Sequence, residues 1–100
     1  RYETSSMEVD SSGEIDPSLS AVWRFDGSVN KTLTFSSEFS ISSDRSQTII
    51  VFIEGSGGTV TWPPEVSWAG GNEPTLGASW TNIVLFWTGT MWIGMESAKL

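Results

Sequence analysis

Asp44, Glu54, Glu65 and Glu73 are the residues whose type and placement could support bond-breaking chemistry, because each lies near a loop and paired carboxylates can hydrolyse a glycosidic bond. Their separation cannot be read along the chain, and acids in loops are ordinarily solvated surface charge. Composition closes off the other routes. The chain has no His and no Cys, which removes Ser–His and Cys–His nucleophiles and leaves zinc without its usual ligands. No D-x-[DN]-x-[DN]-G loop is present for calcium. "GSGG" at 55–58 lacks the Lys-Ser/Thr and the helix of a phosphate cradle. Asn30-Lys31-Thr32 matches the N-glycosylation acceptor, a pattern too short to decide anything. The sequence predicts no enzyme, no cofactor and no metal.

Twelve acidic residues against five basic ones give a net charge of −7 over 100 residues. Arg24, Lys31 and Arg45 are scattered, whereas phosphate binding needs clustered cations, so no nucleic-acid partner is expected. The apolar run Ile49–Ile53 is five residues, too short to span a bilayer, and no membrane insertion is expected. The length suits one domain with a thin core. The opening Arg1 and the lack of a signal pattern suggest a fragment or a processed product.

Two regions differ in character. Residues 1–17 carry five acids and many serines, with Tyr2, Met7, Val9 and Ile15 as their apolar content. They are expected to form a polar, extended N-terminal arm or linker that docks elsewhere. From 18 to 100, short apolar blocks alternate with Gly, Ser, Asn and Asp, the pattern of successive strands. Strands are expected near 20–25, 31–36, 48–54, 58–62, 82–88 and 91–96. In "KTLTF", Leu33 and Phe35 fall on one face and Thr32 and Thr34 on the other. "TIIVFIE" has no polar break and reads as a central strand covered on both faces. Glycines in "EGSGGT" at 54–59 and "TGT" at 88–90 predict two hairpins. The expected class is all-β, a small antiparallel β-sandwich or jelly-roll-like barrel.

The stretch "TVTWPPEVSWAGGNEPTL", residues 59–76, holds two tryptophans, three prolines and a Gly-Gly pair. Pro63 and Pro64 fix two consecutive φ angles and end the strand at Trp62. Gly70 and Gly71 permit a reversal, and Pro74 stiffens the return. A rigid excursion of this kind either plugs one end of the fold or presents aromatic edges to a partner. Trp62, Pro63, Trp68, Gly70, Gly71 and Pro74, with Trp80 and Trp92 from the later strands, are the candidate binding or interface residues.

The order W-P-x-x-V-x-W-x-G-G-x-x-P-x-L, here Trp62, Pro63, Val66, Trp68, Gly70, Gly71, Pro74 and Leu76, is followed by "NIVLFWT" and the terminal "GTMWIGME". Over residues 18–100 this resembles the C-terminal β-domain of many tailed-bacteriophage tail-fibre and other virion structural proteins. In that family an Asp-Gly commonly makes the last turn and an aromatic pair follows; here Thr88 stands in place of Asp and Ile93 follows Trp92. The resemblance implies a non-enzymatic module of a virion, commonly a homotrimer among other virion proteins, contacting a host-surface glycan or protein. A capsid decoration or head-fibre protein attached through its N-terminal arm is the alternative within that class. A carbohydrate-binding module is the alternative outside it.

Overall fold

The computed structural model describes residues 7–9, 13–36 and 46–100. Ten strands account for its regular structure apart from one 3₁₀ turn: β1 (Met7–Val9), β2 (Glu14–Ile15), β3 (Val22–Asp26), β4 (Lys31–Thr32), β5 (Thr34–Phe35), β6 (Gln47–Glu54), β7 (Val60–Thr61), β8 (Val66–Trp68), β9 (Trp80–Trp87) and β10 (Trp92–Lys99). The all-β class expected from the sequence is the class observed. Asp44 and Arg45 lie outside the described residues.

The strands are joined in a way that local pattern did not indicate. β1, β3 and β6 run parallel to one another in a six-stranded sheet of order β1-β3-β6-β9-β10-β8. The segments between them cross to a second layer, where β2 pairs parallel with β5 and β4 parallel with β7. The described strands up to Thr61 are therefore those of a short parallel coil, with β1, β3 and β6 in one layer and β2, β4, β5 and β7 in the other. Parallel neighbours require such crossovers, since a two-residue turn can join only antiparallel strands. β9 then pairs antiparallel with β6 over Gln47–Glu54 and ends the stack, and β10 folds back on β9. The sheet is mixed rather than purely antiparallel.

Of the two expected hairpins, the one at 88–90 joins β9 to β10, with Gly89 at φ 109°. The glycines at 54–59 instead carry the chain from the large sheet to the second layer, because β7 pairs with β4 and not with β6. Gly55 and Gly57 still adopt positive φ (88° and 106°), as a turn demands. Gly58 lies against the Val29 backbone so closely that a Cβ there would overlap it.

Alternation sets the core. Ile49, Val51 and Ile53 of β6 are fully buried, as are Ile83 and Leu85 of β9, and Trp23 and Phe25 of β3 join them. The second layer closes this face with Ile15, Leu33 and Trp62. Leu33 is buried between exposed Thr32 and Thr34, as the sequence alternation requires. Two buried polar groups are satisfied locally: the Trp23 Nε1–H donates to the Ser20 carbonyl at 2.9 Å, and Thr81 Oγ1 accepts from the Gly77 N–H at 2.7 Å.

β6 is central but is covered on one face only, which corrects the expectation of cover on both. Thr48, Ile50 and Glu54 are exposed and Phe52 is half-buried. The limit at residue 17 also fails to mark the edge of the core. β1 pairs with β3, Ile15 is fully buried, the Thr34 N–H donates to the Gly13 carbonyl at 2.9 Å and the Ser36 N–H to the Ile15 carbonyl at 2.8 Å. Pro17 is also buried, and its carbonyl accepts from Gln47 Nε2 at 2.6 Å.

Removal of residues 1–17 should therefore lower thermal stability markedly, because it strips a buried isoleucine, worth about 2–5 kcal/mol on truncation elsewhere, and a strand from the sheet. A thermal melt of the truncated chain that matches the full chain would show that the first coil turn contributes nothing to the fold.

Candidate functional site

The aromatic loop leaves β7 at Thr61. Trp62 points inward, 4% exposed, and Pro63 behind it is fully buried. The Val66 N–H closes the turn over the two prolines by donating to the Pro63 carbonyl at 3.2 Å. β8 then runs parallel to β10, placing Val66 beside Trp92, Ser67 beside Ile93 and Trp68 beside Gly94. Trp68 meets Trp62 edge to face, with centroids 5.1 Å apart at 72°.

Gly94 is what makes room for this. A Cβ there would stand 2.5 Å from Cζ3 of Trp68 and 2.7 Å from Cγ1 of Val66, so only a residue without a side chain lets the ring lie on β10. After Trp68 the chain reverses through a 3₁₀ turn, Ala69–Gly71, in which Gly70 and Gly71 have φ of 77° and 80°. Both are exposed with open space around them, so their requirement is conformational. The return passes Pro74, half-buried, and Leu76, which packs on the core.

The expected site residues thus divide. Trp62, Pro63, Trp68, Gly70, Gly71 and Pro74 come together in one loop, in which Trp62 and Pro63 plug the core, Trp68 and Pro74 are half-buried and the two glycines are exposed. Trp92 is 3% exposed, stacked on Phe35 at 4.7 Å and tilted against Trp87 at 5.4 Å. No indole face of Trp62 or Trp92 is left open for a sugar ring. Trp80 lies apart, on the opposite face of the sheet, stacked on Phe52 at 5.9 Å.

That opposite face carries several exposed apolar side chains. Register aligns Val22, Ile50, Val84 and Met95 in one row across four strands, with Phe86 and Ile93 in the next. Ile50, Phe86 and Met95 are 37%, 36% and 43% exposed. Period-two patterning predicts such a face for any strand whose apolar run is unbroken. Its exposure depends on whether a third layer exists, which no local pattern reveals.

At one end of this face Arg24, Phe25, Asp26 and Glu54 line a cavity of about 260 Å³. Asp26 and Glu54 are register partners on parallel strands. The Asp26 carboxyl is held below its ordinary range first by the Ser28 hydroxyl, donating at 2.6 Å, then by the Ser28 N–H at 2.8 Å, with Lys31 adding attraction. A general acid for glycoside cleavage needs the opposite shift. Among the described residues no group of three acids is placed to hold a metal ion, and no helix is long and apolar enough to cross a membrane.

Comparison with protein-family models, curated proteins and solved structures returned no match to this chain.

Trp62→Ala should cost about 3–5 kcal/mol as a buried aromatic truncation, and Trp68→Ala less, since its ring is half-exposed. Gly94→Ala should cost about 1–3 kcal/mol through overpacking. Denaturant melts order the three; a Gly94→Ala variant as stable as the parent would remove the glycine contact from the account. Asp26 contributes stability that is complete above 3.8, its ordinary value, and fades as pH falls through its lowered folded value. Asp26→Asn should therefore flatten the acid limb of the stability profile below pH 3.8, and an unchanged limb would contradict the Ser28 bonds.

Proposed function

We propose that the chain is a non-enzymatic structural module of a bacteriophage particle, a tail-fibre-type domain that contacts the host surface and is held in a homotrimer. The observation that carries the assembly role is the open apolar face of the six-stranded sheet. Four strands at about 4.8 Å spacing and five residues at about 3.3 Å give it an extent of about 300 Å², the range in which the largest apolar patch of a soluble monomer is often functional. Its charged residues, Arg24, Asp26 and Glu54, lie together at one end, and the row Val22, Ile50, Val84 and Met95 is apolar between the polar positions Thr48 and Asn82. Interface cores have the same composition, depleted of charge and rich in aromatics and methionine.

The virion assignment draws its support from the W-P-x-x-V-x-W-x-G-G-x-x-P-x-L order. Val66 and Trp68 of that motif pack on Gly94 of the terminal hairpin, so the residues carrying the resemblance form one structural unit. Such coupling is what a fold signature requires, and it accounts for their joint occurrence by packing. Host contact is assigned to surfaces other than the buried indoles of that loop.

Size exclusion with light scattering at micromolar concentration should give three times the chain mass. Phe86→Glu and Met95→Glu together should return a folded monomer, with unchanged circular dichroism. A wild-type monomer would refute the trimer, and a trimer untouched by the double variant would move the interface off this face.

A further inference from the structure

The two layers of the coil end differently. In the large sheet β9 caps β6 along its length. In the second layer β7 has β4 on one side and, among the described residues, no strand on the other. The Lys31 N–H donates to the Thr59 carbonyl at 2.9 Å and the Leu33 N–H to the Thr61 carbonyl at 2.8 Å. Successive residues of a strand turn their backbone groups to alternate edges, so the N–H and C=O of Val60, between those two, point away from β4. No described residue bonds either group.

A cleft of about 220 Å³ adjoins β7, lined by Gly58, Thr59, Val60 and Trp62 together with Pro74, Thr75 and Leu76. Buried Trp62 and half-buried Val60 and Leu76 supply its apolar surface, and exposed Thr59 and Thr75 its polar rim. The volume falls below the roughly 300–1,000 Å³ of small-molecule sites, and Trp62 offers no ring face for a sugar. One side chain of an extended strand fits both the volume and the lining.

We propose that the free edge of β7 receives an extended segment of a partner protein. Its backbone pairs with the N–H and C=O of Val60, and one apolar side chain descends between Val60, Trp62 and Leu76. Unpaired strand edges are templates for this mode of recognition. Charge narrows the partner. Lys99 Nζ at the rim is already engaged, with Thr75 Oγ1 at 3.1 Å and Glu96 at 3.2 Å. Exposed Glu73 beside Pro74 has no ion-pair partner among the described residues, and the chain carries −7 overall. The bound segment therefore carries Lys or Arg next to its apolar anchor. This goes beyond the virion role and does not depend on it.

The test is selection of a random dodecapeptide library on the immobilised full chain, followed by affinity measurement on wild type and Val60→Pro. Proline removes the N–H aimed at the cleft and spares the bonds to β4, a replacement edge strands accept. Selected peptides should pair a basic residue with an apolar one and lose at least tenfold in affinity on Val60→Pro. Hydrogen exchange at the Val60 amide should be fast in the free chain and slowed by bound peptide, a readout that decides the matter even where Val60→Pro fails to fold. No enriched peptide, equal affinity for a folded Val60→Pro, or unchanged Val60 exchange at saturating peptide would overturn the proposal. Slowing with chain concentration alone would overturn it in favour of a second copy as the occupant.

Discussion

The pairing of β6 on both its edges is the constraint on which the rest of the molecule depends. On one side it continues a parallel coil through β3, and on the other it accepts β9 antiparallel. The inner row Ile49, Val51 and Ile53, all fully buried, holds the coil and the terminal hairpin against one core. A one-residue slip would send that row to solvent. The same pleat that buries it must turn Ile50 and Phe52 outward, so the open apolar face follows from the core and cannot be lost independently of it.

What was legible in the sequence was local. The alternation around Leu33 and Phe35, the end of the strand before Pro63 and the positive φ at Gly89 all follow from two- or four-residue rules. Partner choice was not legible: Val22 pairs with Ile50 across 28 positions of chain, and nothing in either segment marks the direction of pairing. The glycines at 55–58 announced a turn but not its destination. Gly94 did carry a usable sign, since a glycine inside a strand indicates close approach of another group; that the group was Trp68 required the structure.

The N-terminal segment shows the limit of composition as a guide to order. Residues 1–17 are too polar to build a core, yet within them Ile15 is fully buried where the core already exists, and backbone bonds from Thr34 and Ser36 hold Gly13 and Ile15 beside it. Ordering entropy is then offset by hydrogen bonds and burial shared with residues further along the chain. An average over seventeen residues hides the one position that decides the outcome.

The aromatic loop answers two demands that compete for the same rings. An indole that stacks against a ligand must leave a face open, and an indole that holds a proline-rich turn onto a strand must bury it. In this chain the second demand takes Trp62 entirely and Trp68 in part: their edge-to-face contact and the approach of Trp68 to Gly94 use surfaces that a sugar would need, while Trp68 stays half-buried. Two other surfaces are left over by that packing. One is an aliphatic and aromatic sheet face, and the other the edge of β7, where no described residue bonds the N–H and C=O of Val60. The proposed roles of these two surfaces rest on shape for the face and on backbone hydrogen bonding for the edge, and neither calls on the His or Cys that the composition lacks.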